Sequence, residues 1–417
     1  MSLNKRLLVI DDNQSIVLAV SAALHQSLRL PVDGANDLAQ ARQFMEQPDV
    51  HYLAAVVDLH LPDAEDDEAV DLALAHGIPV VVLTGDLNER LRDHICARPL
   101  VDYVVKQSVN AVEVVRSDVC RLLRNPERKV LIVDDSDSFR EYLKSVLLTQ
   151  QLQVFSASNA AAALPIIAAH PDISLTLNDY HMPGQDGAEL TNTLRGRFPA
   201  TEMAIIGVTV STDPFVPVKF LKAGASDVLR KPFIVEELVS RVNACLDNLE
   251  NIKTIADQAN HDYLTQLYNR RYLFNAGSTL HSNARRDHIK ITVAVLDIDF
   301  FKKINDSLGH EAGDAALIAV AAELKRSLRS GDIVARIGGE EFCIVAVNVE
   351  NPLILIEHMR NRVESLCITG SWGNPIRLTL SAGFTSTPGD SFESMVRQAD
   401  KALYQAKAAG RNCSIGI

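Results

Sequence analysis

Short apolar runs alternate with amphipathic stretches over the first 245 residues. Arg6–Ile10 leads into helix-spaced apolar positions from Ser15 to Leu28, and Lys129–Val133 leads into a second stretch of the same kind. Ala54–Val57, Val80–Leu83, Leu175–Asn178 and Ile205–Val208 are runs short enough for buried strands. Such alternation predicts α/β architecture with doubly wound parallel sheets, whose strand C-terminal ends converge on one edge where ligands bind. Matched polar residues fall at those ends. Asp11 and Asp134, Asp58 and Asp179, Thr84 and Thr209, and Lys106 and Lys231 are separated by 123, 121, 125 and 125 residues, so one module occurs twice.

The repeated set has a chemical reason. Carboxylates held close together repel unless a divalent cation bridges them, and Mg²⁺ takes oxygen ligands. A carboxylate beside that ion can attack a phosphoryl donor, and the resulting dianion needs a cation and a hydroxyl donor. One such Asp alone reads as a helix cap or strand-end turn; five matched positions occurring twice, with the second acids Asp12 and Asp135 counted, do not. The set resembles the flavodoxin-like receiver domains of two-component response regulators. That resemblance implies Asp58 and Asp179 as phospho-acceptors, and Asp11, Asp12 and Asp58, then Asp134, Asp135 and Asp179, as the metal sites. It implies Thr84, Tyr103, Lys106, Thr209 and Lys231 as switch residues, and a histidine kinase or phosphotransfer protein as donor. The second copy has Val228 where the family carries an aromatic, and the first has Gln107 where it carries a proline. Similar double-receiver proteins often use only one copy as input. Neither copy here has lost an acid, so both are expected to be competent.

From Glu236 to about Asn260 there is no Gly or Pro, and Leu238, Val242, Cys245, Leu249, Ile252, Ala256 and Ala259 recur four and three apart. This predicts one continuous helix with a short heptad seam. Its first half closes the second sheet; its second half serves as a rigid connector, with pairing to a second subunit left open. The expected domains are residues 1–125, 126–246, a connector over 247–260, and 261–417.

In the last domain the apolar run Ile291–Leu296 ends in Asp297, and Gly338-Gly339-Glu340-Glu341-Phe342 sits between two strand-like runs. A Gly-Gly pair tolerates the positive φ of a tight hairpin, which would place two acids at its tip. If the two strands are neighbours, Asp297 and the tip acids can share a hard cation. The hairpin, the opening segment Asp262–Arg271, Asp297–Asp306, Gly309–Asp314 and Lys407–Arg411 together resemble GGDEF domains, the diguanylate cyclases, in a variant with Glu at the third position. The resemblance implies a palm-like α+β nucleotidyl cyclase fold. It implies Mg²⁺ (or Mn²⁺) on Asp297, Glu340 and the Ile298 backbone, with Glu341 acting on the 3′-hydroxyl of GTP. Asn305 and Asp314 would read guanine. Lys407, Arg411 and the backbone N–H groups of Phe300, Phe301 and Lys302 would hold phosphates. The side chains of Phe300, Phe301 and Ile304 are expected in the core. Arg329 and Asp332 resemble the family's inhibitory site for cyclic di-GMP.

The implied activity is condensation of two GTP into cyclic di-GMP plus pyrophosphate by a homodimer, controlled by phosphorylation. The alternative is a catalytically silent cyclic di-GMP- or GTP-binding two-component effector. Composition agrees with a globular protein, at 47% hydrophobic and 23% charged residues. A net charge of -12 argues against nucleic acid as a partner. No apolar stretch approaches a membrane span and the start reads directly into a strand, so a cytoplasmic protein without a membrane partner is expected. The six cysteines form no pairing pattern and read as small core residues in a reducing compartment.

Overall fold

The computed structural model describes residues 4–65, 67–85, 98–287, 289–329 and 331–417, apart from the side chains at 285 and 287. The chain divides into two compact units, Met1–Ile252 and Lys253–Ile417.

The first unit holds two five-stranded parallel sheets. One is built from β1 (Asn4–Ile10), β2 (Val32–Ala35), β3 (Val50–Val57), β4 (Val80–Thr84) and β5 (Asp102–Val105), in the order β2-β1-β3-β4-β5. The other uses β6 (Lys129–Val133), β7 (Gln153–Ala157), β8 (Ile173–Asp179), β9 (Ala204–Thr209) and β10 (Asp227–Arg230), and runs β7-β6-β8-β9-β10, the same order. The central strands are almost wholly buried because helices cover both faces. The covering helices of the first sheet are α1 (Gln14–Leu28), α2 (Leu38–Met45), α3 (Glu68–Ala75) and α4 (Ala111–Arg124). Those of the second are α5 (Asp137–Thr149), α6 (Ala160–Ala169), α7 (Gly187–Arg195), α8 (Phe215–Lys222) and the start of α9 (Val235–Asn260). Side-chain oxygens of Asn13, Asp37, Ser136, Asn159 and Asp186 cap five of these helices.

Helix α9 is continuous, as its sequence requires. Leu238, Val242, Leu246 and Leu249 are buried against the second sheet, whereas Ile255, Ala256 and Ala259 are exposed. The seam therefore changes environment where the first unit ends.

The second unit is a six-stranded mixed sheet in the order β11-β13-β14-β12-β15-β16. Its strands are β11 (Tyr268–Asn269), β12 (Ile291–Ile298), β13 (Ile333–Gly338), β14 (Glu341–Val347), β15 (Leu380–Thr385) and β16 (Ser414–Gly416). Helices α10 (Arg270–Asp287) and α14 (Phe392–Ala408) pack on one face with the cluster around Phe392 and Met395. Helices α11 (Phe301–Leu308), α12 (His310–Arg326) and α13 (Pro352–Glu364) pack on the other with the cluster around Leu317, Val320 and Met359. The central strand β12 is buried along its whole length and is flanked by two antiparallel neighbours.

The cysteine expectation needs correction. Cys343 is fully buried, but Cys120, Cys245 and Cys413 are half-buried and Cys367 is exposed; Cys96 lies outside the described residues. Most of these positions lie at the edges of packed faces, where a small side chain is tolerated with partial solvent contact.

Candidate active site

The hairpin is as tight as its glycines allow. Gly338 pairs with Glu341, leaving Gly339 and Glu340 as a two-residue turn, and Gly339 has φ +34°. Arg336 braces the tip: its Nε donates to the Gly339 carbonyl at 2.9 Å and its Nη1 to Asp262 Oδ1 at 3.0 Å. Thr265 Oγ1 also donates to that carboxylate oxygen, at 2.7 Å. Burial alone would raise the Asp262 pKa; the Thr265 and Arg336 donors outweigh it and hold the group below its ordinary value. Asp262, in the opening segment, is thus a support for the turn.

Strand β14 lies beside β12 in a register that puts Glu341 directly opposite Asp297, and the Ile298 N–H donates to the Glu340 carbonyl at 3.4 Å. Asp297 is 6% exposed. Burial raises its pKa; Lys407, whose Nζ is 2.8 Å from Asp297 Oδ2, partly offsets this, and the charges of Glu340 and Glu341 raise it further. Three carboxylates therefore repel across one strand end with a lysine against them. Such an oxygen-rich, negatively charged donor set suits Mg²⁺ or Mn²⁺.

Beyond β12 the chain turns sharply. Phe300 has φ +56° and caps α11, whose opening residues Phe301 and Lys302 carry N–H groups without intrahelical acceptors. Phe301 is buried in the core and Ile304 packs against it, as expected. The Phe300 side chain is not in the core. It is 52% exposed, with Lys303 Nζ 4.4 Å and the Arg411 guanidinium 4.6 Å from its ring centre. The left-handed backbone at the end of β12 turns the ring outward, and the two cations cover its faces.

Gly309, at φ +87°, makes the elbow between α11 and α12. Asn305 lies on the first helix and exposed Asp314 on the second. A Cβ at Gly313 would lie 1.9 Å from Asn305 Oδ1, so this glycine is what lets the Asn305 amide rest against α12 beside Asp314.

Asp299 carries no sequence signal beyond its two-residue spacing from Asp297. It is 4% exposed and accepts from Thr379 Oγ1 at 2.7 Å, Ser381 Oγ at 2.7 Å and the Asn412 N–H at 3.0 Å. Gly410, Arg411 and Asn412 all have positive φ, so the tight loop after α14 is pinned to the end of β12 by this carboxylate. Lys407 and Arg411 are brought to the same end of the sheet as Asp297, while Asn305 and Asp314 sit on the helices that follow it. Arg329 is exposed, and its N–H donates to Asp332 Oδ2 at 3.0 Å; Val347 N–H donates to Asp332 Oδ1 at 3.1 Å. Both oxygens of Asp332 thus have backbone partners.

In the first unit the matched residues meet at the strand ends of each sheet. Lys106 Nζ lies 2.7 Å from Asp11 Oδ2 and 2.6 Å from Asp58 Oδ2, and Asp58 Oδ1 is buried without a hydrogen-bond partner among the described residues. Burial raises the Asp11 pKa, only partly offset by Lys106. Lys231 Nζ lies 2.8 Å from Asp134 Oδ2 and 2.7 Å from Asp179 Oδ1, and burial likewise raises Asp179. Thr84 and Thr209 are fully buried. Tyr103 is half-buried, with its hydroxyl 3.4 Å from Glu236 Oε1. The acid groups of the two copies differ in closeness. Among the described residues, Asp11, Asp12 and Asp58 alone form a group of three whose ligand oxygens lie within 4.8 Å of one another. Lys231 bridges Asp134 and Asp179 as Lys106 bridges Asp11 and Asp58, and the matching acids of the second copy do not form such a group among the described residues.

Residues 259–413 match the diguanylate cyclase GGDEF domain family and residues 130–243 the response regulator receiver domain family. Response regulator PleD of Caulobacter vibrioides is 26% identical over 460 residues, covering 99% of both chains. Diguanylate cyclase DgcP of Pseudomonas aeruginosa is 37% identical over 185 residues, 43% of this chain and 27% of that one. A solved two-component response regulator/GGDEF domain protein is 40% identical, with a TM-score of 0.55, covering 59% of this chain and 99% of that chain. Among the described residues no helix is long and apolar enough to cross a membrane.

Proposed function

The chain belongs to the response regulators that carry a GGDEF domain, and from that premise we propose that it is a phosphorylation-regulated diguanylate cyclase acting as a homodimer. The observation that carries this reading is the register of β12 against β14, which sets Asp297 across from Glu341 and beside Glu340. Asp297, Glu340 and the Ile298 carbonyl would hold Mg²⁺ or Mn²⁺. When bound, the ion neutralises triphosphate charge and lowers the pKa of the attacking hydroxyl.

The remaining work falls to side chains of this domain. Asn305 and Asp314 accept from guanine N–H groups, and the Asn305 amide donates to O6, a pattern adenine does not match. Lys407, Arg411 and the N–H groups opening α11 hold the β- and γ-phosphates. Glu341 takes the proton of the 3′-hydroxyl, whose oxygen attacks the α-phosphorus of the opposing GTP as pyrophosphate departs. A second identical step closes the ring. Each half-site presents one nucleotide, so two cyclase domains must face each other.

The first 246 residues form two receivers, residues 1–125 and 126–246, and α9 continues over 247–260 as the connector to the cyclase at 261–417. The shared strand order and the Asp58–Lys106 and Asp179–Lys231 pairs support treating both as phospho-acceptors. A phosphoryl group transferred from a histidine kinase or phosphotransfer protein would be met by the lysine ammonium and by the hydroxyl of Thr84 or Thr209.

The test is incubation of the full chain with GTP and Mg²⁺, with and without beryllofluoride. Cyclic di-GMP should form, faster with beryllofluoride. Its absence under every condition would leave a silent nucleotide-binding effector. Asp58→Asn and Asp179→Asn, singly and together, should divide the stimulation between the receivers. Arg329→Ala should weaken cyclic di-GMP binding and let product accumulate well past the wild-type plateau; an unchanged plateau would remove Arg329 and Asp332 from the product site.

Asp299 is a positioning residue in this scheme, since it holds the loop bearing Arg411. Asp299→Ala leaves the Asn412 N–H and two hydroxyls without their acceptor, at a stability cost of about 2 kcal/mol. The GTP KM should rise roughly tenfold while kcat changes less than threefold, which corresponds to about 1.4 kcal/mol of lost ground-state binding. Asp299→Asn should recover part of the affinity. An equal fall in kcat with unchanged KM would contradict the assignment.

A further inference from the structure

A groove of about 540 Å³ runs between α11 and the chain segment 375–379 that leads into β15. It follows the side of α11 that carries Ile304, Ser307 and Leu308. Gly313 brings Asn305 against α12 on another side of the same helix, so the groove is separate from the residues proposed to read guanine. No step of the proposed reaction uses it.

The acids that line the groove are already satisfied. Asp299 accepts from Thr379 Oγ1, Ser381 Oγ and the Asn412 N–H. Glu364 accepts from Arg360 Nη1 at 2.8 Å and from Asn412 Nδ2 at 3.0 Å. The cations are not. Arg377 is exposed, and its guanidinium has no ion pair or hydrogen bond among the described residues. Lys303 is also exposed, and its ammonium lies 4.4 Å from the centre of the Phe300 ring, a contact that leaves its N–H donors open.

The backbone adds a donor. In extended chain the N–H and C=O of one residue point to the same side, and those of the next residue to the opposite side. Ile376 pairs through both groups with Ile368, while the Thr379 carbonyl accepts from the Asp299 N–H at 2.9 Å. The Arg377 N–H is therefore turned to the same side as the Thr379 carbonyl, the side of α11, and it has no backbone acceptor among the described residues. Free cations beside neutralised acids give the groove surplus positive charge, and Ile304, Leu308 and Pro375 give it apolar surface. Its volume is within the range of small-molecule sites.

We propose that this groove binds a small organic anion, a carboxylate or phosphate monoester on a short apolar body. Arg377 engages two oxygens of the anion through its planar fork, Lys303 adds a point charge, and the body lies on Ile304 and Leu308. The inference rests on the groove alone and does not need the cyclase reading.

The full chain is titrated calorimetrically with phenyl phosphate and with phenylacetate, with 2-phenylethanol as the neutral control and phenethylamine as the cationic one. Saturable binding of at least one anion is expected, absent for the alcohol and the amine, and weakened several-fold on raising the salt from 50 to 500 mM. Arg377→Ala should weaken it at least tenfold and Lys303→Ala several-fold; both side chains are exposed, so the melting temperature should not fall. Arg411→Ala should leave it within about threefold, since Arg411 belongs to the proposed phosphate site and not to the groove lining. Anions that bind no better than the alcohol overturn the proposal. So does binding that survives Arg377→Ala and is lost with Arg411→Ala, which would place the anion in the nucleotide site. No turnover is read, so the result is separate from that of the cyclic di-GMP assay.

Discussion

Replacing Glu341 with Gln should lower cyclic di-GMP formation by about 10³-fold, the range for removing a positioned general base. Glu341 sits at the first position of β14, opposite Asp297, where it is half-buried. Gln keeps the shape and strand pairing but cannot accept the 3′-hydroxyl proton. It also removes one of the charges that raise the Asp297 pKa, so affinity for the divalent ion should change little. GTP binding, followed with a non-hydrolysable analogue, should stay within about threefold of wild type, because base and phosphate contacts come from other elements. Retention of more than a tenth of the activity would move the proton-accepting role away from this residue.

The largest stability effect is expected at Gly383 on β15. A Cβ there would fall 2.0 Å from the Leu403 N and 2.2 Å from the Ala399 carbonyl oxygen, both backbone atoms of α14. Flexible side chains give way to such an intrusion, but a helix backbone does not. Gly383→Ala must therefore push α14 off the sheet, and overpacking of this kind costs about 3 kcal/mol or more. For a unit of this size that is roughly a 10 °C fall in melting temperature. Helix α14 also carries Lys407, whose ammonium meets Asp297 at 2.8 Å. GTP affinity should drop along with stability. A variant that melts within about 2 °C of wild type would mean that helix and sheet are less closely packed than the structure has them.

Both effects depend on how strands lie beside one another. The chemistry-bearing residues were legible because they sit at places where local sequence shows a transition: an apolar run ending in an acid, a glycine pair between two strands, a helix ending before Gly410. The duplication was legible for the same reason, since matched acids recur at matched strand ends. What could not be read locally was which partners a polar residue finds across the sheet. Asp299 has the look of any acid after a strand, yet its hydrogen bonds run to residues 80, 82 and 113 positions away. Phe300 has the composition of a core position, and a single left-handed residue turned it out to Lys303 and Arg411.

The sequence by itself determined the alternation of strands and helices, the repeat, the continuous helix α9 and which acids, amides and cations are proposed for the cyclase site of the last domain. These follow from periodicity and from turn chemistry, which act over a few residues. Tertiary structure alone decided the pairing of Asp297 with Glu341, the pinning of the Arg411 loop by Asp299, the exposure of Phe300 and the groove lined by Lys303 and Arg377. Each of those depends on the register and packing of elements distant in the chain, and a one-residue slip in any strand would have moved its side chains to the other face.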